Sequence, residues 1–598
     1  MSKNQLRASQ IVTTFGPGAM VDLPEASVII SGLDGWHYEN SQIPIIDEPR
    51  LVAKLQRLLE VETLTLRTPP PSSNQNFGFR PDVVAWRFPE WFIVQNPKVT
   101  RDGFRKRMFV HMNHLDVNGM KFQDEDRRKY PVVPVRFVRA CRKGHVGDID
   151  WKSFAHGNAD CFRNLWLEER GLGGDLDEMW VVCDCGKERA MSQVARPELR
   201  ALGYCNGSRP WLGAGTRESC SELNRLLIRS ASNAYFAQIM SVISIPDTRR
   251  PIDDLVKSLW EDFLSDVENL QELTKVRRKP TVAAKLQDIP DDEVFDAIER
   301  FRSAGEAIYD RSVKEAEFEA LTQAKEELGS DVPDGYFFAR TLPQNAWSAL
   351  WMNSIERVVL VHRLREVIAQ VGFTRFEAFG PNIEGELDLD VERAPLASDI
   401  SWLPAVENRG EGIFLHFKTD AIKNWLNKPG VNQRGVQLLQ GYDQWKNERG
   451  SSREFPGLQY YLLHSLSHLL LTVISLDCGY PSSSLRERVY AANEQYGILI
   501  YTGSSDSQGT LGGLVQAGRE IKRYMLLALE RAMLCSNDPI CAHHVPVQHD
   551  HQPLLGSACH GCLLVSETSC EQANSFLDRS LVVQTIEGLG AEFFDSGL

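Results

Sequence analysis

Twelve cysteines carry most of the chemistry legible in this 598-residue sequence, and they fall in two regions with one outlier, Cys478. Five lie close together, in Cys535-Ser-Asn-Asp-Pro-Ile-Cys541, Cys559-His-Gly-Cys562 and Cys570. The C-x2-C pair at 559 and 562 has the spacing at which two thiolates on one tight turn share a tetrahedral zinc, and further ligands are at hand. Gly561 is expected to give that turn a positive φ angle. An all-cysteine supply leaves no water-bearing position, so the expected role is a closed structural site that fastens a domain.

The second region opens with Cys141-x3-His145, followed by His156 and Cys161. Cys183-Asp-Cys185-Gly186 comes next, then Cys205 and Cys220. Two groupings compete. One places Cys183, Cys185, Cys205 and Cys220 together and leaves Cys141, His145, His156 and Cys161 for a second site. The other joins the 141/145 and 183/185 knuckles as a zinc ribbon. Ligands meet in space, so spacing leaves both open. The four-cysteine grouping is the favoured expectation, with His156 the weakest ligand. In all, about two or three structural zinc ions are expected per chain. Cys478 reads as a small core residue.

Other candidates offer less. His464 and His468 lie four apart on one helix, but position 465 is Ser, so the HExxH glutamate is missing and satisfied core histidines are expected. His416-x-Lys418 resembles half of a phospholipase-D-type motif, yet Lys423 stands where its aspartate is required. Gly16-Pro17-Gly18 has no Lys-Ser/Thr after it and reads as a turn. The strand, glycine-rich loop and helix around 497–534 offer a helix N-terminus without a nucleotide fingerprint. No helicase motif, nucleophile–base pair or catalytic metal triad is visible. A nuclease or hydrolase using His416, His464 and His468 is the competing reading.

These residues need a frame. Apolar content of 42% and aromatic content of 9% are those of a folded globular chain, and the length calls for about three or four domains. The expected fold is multi-domain, mixed α+β. Residues 1–140 form a β-rich domain, 141–245 the cysteine-rich knuckle region and 246–345 a charged helical hairpin; 346–454 form an α/β linker domain and 455–598 an α/β zinc-binding domain. Within these, Val256, Trp260, Phe263, Val267 and Leu270 share one face of a helix that ends at Lys275 to Lys279 and Pro280; after Pro290-Asp291-Asp-Glu, acidic residues suited to a helix start, Ile298, Phe301, Ile308, Phe318 and Leu321 continue the pattern. Segment 351–371 reads as an amphipathic helix, and Pro69-Pro70-Pro71-Ser-Ser-Asn as a linker.

A net charge of −14 excludes a protein that coats nucleic acid with its whole surface. Local clusters still stand out. Arg105, Lys106 and Arg107, then Arg127, Arg128, Arg136, Arg139 and Arg142, interleave with aromatic residues, a pattern suited to a groove for single-stranded nucleic acid. The apolar run 458–476 contains Gln459, His464, Ser465, Ser467 and His468 and reads as a buried helix, with no membrane span. The first residues lack a signal-peptide core, so a soluble, cytoplasmic chain is expected, in which clustered cysteines are metal ligands rather than disulfides.

Leu6-Arg-x-Ser-Gln10 with Phe15-Gly-Pro-Gly18, Cys141-x3-His145-Val-Gly-Asp-Ile-Asp-Trp151, Arg209-Pro-Trp-Leu-Gly213, Arg363-Leu-Arg-Glu-Val367 with Gly372-Phe-Thr-Arg375, and the Cys559/Cys562/Cys570 tail ending in Leu577-Asp578-Arg579 form a combination that resembles the DrmB family, core proteins of the DISARM bacterial antiphage system. These motifs span essentially the whole chain. About 460–580 resembles the zinc-binding domain of MrfA-like DNA-repair helicases. That resemblance implies Cys559, Cys562 and Cys570 as zinc ligands with one upstream cysteine, Cys541 or else Cys535. It also implies a non-catalytic subunit that pairs with the DISARM helicase DrmA and engages invading DNA.

Overall fold

The computed structural model describes residues 6–595, apart from 24–25, 39–42, 71–82, 117–120, 158–160, 172–173, 246–250, 287–288, 305–311, 327–334, 379, 388–390, 450–452, 482, 504–511 and 547–551. Ile308, the end of the proline-rich linker and most of the glycine-rich loop after 503 lie outside the described residues. The fold is mixed α and β, with a β-rich N-terminal half. It divides into two compact units, one from residues 1–240, 368–380 and 388–406, the other from 241–367, 381–387 and 407–598.

The first unit is built on an antiparallel sheet. Its strands run in the order Glu188–Ala190, Met179–Cys183, Leu165–Glu169, Arg105–His111, Trp91–Val94, Lys129–Pro134, Lys121–Gln123, Leu115–Asp116. Met179–Cys183 alternates buried and half-buried positions, as the period of two in a strand requires. Its buried face joins Phe109, Phe137, Trp151, Phe154 and Leu167 in one core, with Trp151 stacked on Phe109 at 4.6 Å. A smaller sheet, Val146–Gly147, Phe137–Ala140 and Arg225–Ile228, leads into and out of the Cys141-x3-His145 turn.

The glycine-proline-glycine segment is a turn, as its composition indicates. Gly18 sits at φ +83°, and a Cβ there would fall 2.4 Å from the Phe373 ring. Phe373 in turn stacks on Tyr235 at 5.0 Å and meets Trp211 edge-on at 5.1 Å. Beside it the buried Arg375 guanidinium donates to three backbone carbonyls, those of Gly18 (2.8 Å), Gly144 (2.9 Å) and Ala234 (2.5 Å). One cation therefore ties together three loops distant in sequence.

In the second unit the sheet order is Phe338–Thr341, then 355–367 of the strand Ile355–Thr374, then 407–417 of the strand Trp402–Phe417, then Gly497–Thr502 and Leu485–Tyr490. The expected helix over 351–371 is thus a strand. Positions 355, 358, 359, 364, 367 and 368 imitate helical spacing because both faces of the strand are buried, which erases the period of two. The β-branched residues Val358, Val359, Val361, Val367 and Ile368 favour the extended form.

Helix Leu458–Cys478 packs on helix Ile521–Met533 and on strand Leu485–Tyr490. By length and composition it could cross a membrane, yet 72% of its most apolar stretch is buried within the fold. The region 251–304 is helical but is not one long hairpin. Pro251–Leu259 passes into a π-turn at Trp260–Leu264, and Asn269 then caps a new helix, Leu270–Val276, by accepting from Glu272 N–H at 3.0 Å. With Pro280–Leu286 and Asp291–Ala304 these short helices enclose their own core of Val256, Leu264, Leu273, Val282 and Ile298. Phe318 and Leu321, on helix Val313–Thr322, pack instead with Val359, Phe414 and Tyr490 of the sheet.

Replacing Arg375 by Met would leave three buried carbonyls without their donor, at about 1–3 kcal/mol for each unsatisfied group. The variant should melt several degrees below the parent in scanning calorimetry. An unchanged melting profile would show that these carbonyls are held by other means.

Candidate metal centres

In the first unit, Cys141, His145, Cys205 and Cys220 bring their donor atoms within 4.8 Å of one another. Strand Phe137–Ala140 delivers Cys141, and Gly144 (φ +84°) turns the chain so that His145 faces back. His145 Nδ1 lies 3.3 Å from Cys141 Sγ and 3.5 Å from Cys205 Sγ. Its Nε2–H donates to Glu218 at 2.5 Å, and the same carboxylate accepts from Arg209 at 2.8 Å. Such an outer carboxylate fixes the tautomer and aims the ligating nitrogen. The Cys205 sulfur accepts hydrogen bonds from the Cys141 thiol and the Gly207 N–H, and these pull its pKa down to about 4 against the opposing effect of burial.

A second set in the same unit joins His156, Cys161, Cys183 and Cys185. His156 ends helix Trp151–His156; its Nδ1–H donates to Lys152 O at 2.8 Å, and its Nε2 lies 3.2 Å from Cys185 Sγ. Cys161 and Cys183 sulfurs are 3.7 Å apart. Gly186 at φ +90° closes the Cys183-x-Cys185 knuckle. The Lys187 backbone N–H lowers the Cys185 thiol to about 6, with Cys183 and Cys161 adding to the effect.

Both sequence groupings are therefore corrected. Cys205 and Cys220 join the 141/145 knuckle, and Cys183 and Cys185 join His156 and Cys161. The reason is topological: Met179–Cys183 pairs with Leu165–Glu169 beside helix Trp151–His156, whereas Cys205 and Cys220 precede the strand that pairs with Phe137–Ala140. His156, read as the weakest ligand, completes a set.

In the second unit Cys535, Cys541, Cys559 and Cys562 form a third set. Cys535 and Cys559 sulfurs are 3.4 Å apart, Cys541 and Cys562 3.7 Å, and Cys559 and Cys562 3.8 Å. Backbone N–H groups of Asn537 and Gly561 donate to sulfur at 3.4 and 3.3 Å. Burial raises the Cys559 thiol, but hydrogen bonds from Asn537 and Cys535 outweigh it and bring the pKa to about 7. Gly561 has no left-handed φ angle. A Cβ there would come within 2.8 Å of Ser536 Oγ, which would have to turn aside, and 3.4 Å from Cys535 Sγ. The buried Arg579 holds the Cys535 loop to the end of helix Ile521–Met533, donating to Ala532 O at 2.8 Å and to the Asp538 carboxylate.

Cys570 does not complete this set. It lies with His464, His468 and Glu487, so Cys535 and Cys541 both stand in the third set, where the resemblance implies a single upstream cysteine. Sequence reasoning passed over His464 and His468 as core residues; the i, i+4 spacing was their only signal. Nothing in Leu485–Tyr490 marks Glu487.

The basic residues read as nucleic-acid contacts divide. Arg107 pairs with Glu169 at 2.6 Å, Arg142 with Glu377 at 3.5 Å, and Lys106 sits 3.8 Å from Asp184 and 4.6 Å over the Trp166 ring. Arg136 lies over Phe137 and donates to Gly174 O at 3.3 Å, and Arg139 is half-buried. Arg105, Arg127 and Arg128 are exposed. Strands Arg105–His111 and Lys129–Pro134 both pair antiparallel with Trp91–Val94, which puts these three arginines at one end of the sheet.

A family model for an MrfA Zn-binding domain matches residues 466–563. All four members of the Cys535 set fall inside that segment, and Cys570 falls outside it. A second model, a domain of unknown function (DUF8724), covers residues 7–236 and with them both sets of the first unit. Over 532 residues the sequence is 32% identical to a DISARM protein DrmB of Bacillus paralicheniformis, covering 86% of this chain and 91% of the relative. The chain belongs to the DrmB family. In this DrmB-family chain the donor sets suit zinc: thiolate and imidazole ligands at tetrahedral spacing, with backbone N–H groups on the sulfurs.

The double substitution Cys183→Ser with Cys205→Ser separates the groupings. If the two residues serve different ions, the purified variant should lose about two zinc per chain by mass spectrometry of the metal; loss of only one would restore a shared site. Glu218→Gln, which removes the charge behind His145, should weaken retention at one site by about 10–100-fold in a chelator competition.

Proposed function

We propose that this chain is a non-catalytic, zinc-structured subunit of a DISARM antiphage complex that pairs with the helicase DrmA and contacts invading, single-stranded DNA. The observation that carries this reading is the completeness of the three knuckle sets. Each supplies four cysteine or histidine donors and leaves no position for a reactive water, the arrangement of structural zinc. The membership of the chain in the DrmB family supports the defence role, and the relative's name places that protein in DISARM. A reducing, cytoplasmic setting goes with twelve unpaired cysteines.

The hydrolase alternative finds less support. His416 Nε2 faces Glu356 at 3.6 Å, its ring meets Phe318 edge-on at 5.0 Å, and burial lowers its pKa. It packs with the sheet core of Phe318 and Phe414, whereas His464 and His468 are wholly buried beside Glu487. No shared constellation of acid, base and nucleophile joins them among the described residues.

Two measurements test the proposal. Purified protein mixed with the DrmA-type helicase encoded beside it should co-elute in gel filtration; separate elution would remove the partnership. The combined reversal of Arg105, Arg127 and Arg128 to Glu should weaken single-strand binding about tenfold or more and flatten its salt dependence by about two in log–log slope. Arg142→Glu, at a residue already paired with Glu377, should do far less. Unchanged affinity in the triple variant would take the DNA contact away from this end of the sheet.

A further inference from the structure

Beyond the three knuckle sets, the second unit holds a fourth constellation made of residue types that sequence spacing does not unite. His464 and His468 project from one face of helix Leu458–Cys478, Glu487 from strand Leu485–Tyr490, and Cys570 from the loop that follows the third set. The side chains of both histidines and of Glu487 have no solvent exposure.

The orientation of the rings decides what this cluster can do. His464 Nδ1 lies 3.2 Å from Phe576 O, and His468 Nδ1 lies 2.8 Å from Leu563 O. A carbonyl only accepts, so each Nδ1 carries the hydrogen, and a neutral ring then presents a lone pair at Nε2. Both Nε2 atoms converge on one oxygen, Glu487 Oε1, at 2.8 and 3.2 Å, and His464 Nε2 is also 3.2 Å from Cys570 Sγ. Lone pairs converging on an anionic oxygen and a sulfur repel one another unless a cation lies between them. A cysteine–histidine–carboxylate triad would need the carboxylate and the thiol on opposite ring nitrogens; here both face the same nitrogen of His464.

The surroundings fit ligation. Cys570 Sγ accepts backbone N–H groups from Gln572 (3.3 Å) and Asn574 (3.2 Å), as a thiolate does. The second oxygen of Glu487 accepts from Ser467, and its first also from Glu571 N–H at 3.3 Å. The loop that delivers Cys570 and the Phe576 carbonyl has Ala573, Asn574 and Phe576 all at left-handed φ, strain that persists only where surrounding contacts impose it. All four donor atoms lie within 4.8 Å of one another, close to the edges of about 3.3–3.8 Å of a tetrahedron built from zinc–nitrogen, zinc–oxygen and zinc–sulfur bonds. One divalent ion with a carboxylate, a thiolate and two neutral imidazoles is a neutral assembly, as a site sealed from water requires.

We propose that His464, His468, Glu487 and Cys570 form a fourth zinc site, a buried centre of two imidazoles, one carboxylate and one thiolate, distinct from the cysteine knuckle beside it. It has a closed shell and no open position, so its work is to join the apolar helix, the sheet and the C-terminal loop. Crystals of the purified full chain, with diffraction recorded on both sides of the zinc absorption edge, test this without altering a residue. An anomalous peak among these four side chains, in addition to peaks at the three knuckle sets, is expected. Peaks at the knuckles with none here overturn the fourth site and leave the zinc-structured reading intact; no peak anywhere overturns both. In solution, His468→Ala should lower the zinc content by about one per chain, and an undiminished content in a folded variant also overturns the site.

Discussion

A guanidinium buried away from water must find acceptors for its donors, and in doing so it can answer several carbonyls at once. The cysteine loops depend on this. They have little regular secondary structure, so their backbone carbonyls lack the partners that helices and strands provide. Arg375 meets that need in the first unit, where its three acceptors include Gly144 in the knuckle itself. Arg579 does so in the second, between Ala532 O and Asp538. Asp578, its neighbour in sequence, is held by Arg434 at 2.7 Å and accepts from Ser557 N–H. The ligands can take a fixed spacing because the loops that carry them are already fixed.

A second regularity runs through the four histidines of the clusters. Each offers one ring nitrogen to sulfur or carboxylate and commits the other to an oxygen: Glu218 for His145, Lys152 O for His156, Phe576 O for His464 and Leu563 O for His468. The commitment sets the tautomer, and the tautomer sets which nitrogen can ligate. Three of the four acceptors are backbone carbonyls, so the fold itself, more than any particular side chain, chooses the ligating face.

What could be read in the sequence follows the range of each signal. The C-x2-C turn, the C-x-C-Gly knuckle, the Gly16-Pro17-Gly18 turn and the helix starting at Asp291 are local, and each reads directly. Which knuckle joins which depends on strand pairing across tens of residues; the sequence alone therefore favours Cys205 with Cys183, although it sits with Cys141. The strand Ile355–Thr374 hid for another reason: burial on both faces removes the alternation by which a strand is known. The basic clusters show the limit of counting charge. Arg107 and Arg142 look as available as Arg127 and Arg128 in the sequence, but Glu169 and Glu377 have already answered them.

Helix Leu458–Cys478 has a consequence for biogenesis. It leaves the ribosome as an apolar segment with the length and composition of a membrane span, yet Cys559, Cys562 and Cys570, on the loops that cover it, emerge roughly ninety residues later. At translation rates of about 5–20 residues per second, that exposure lasts on the order of ten seconds. Strand Leu485–Tyr490 and helix Ile521–Met533 can cover part of the helix within that interval, but the backbone carbonyls of Leu563 and Phe576 that its two histidines meet arrive only with the last part of the second unit.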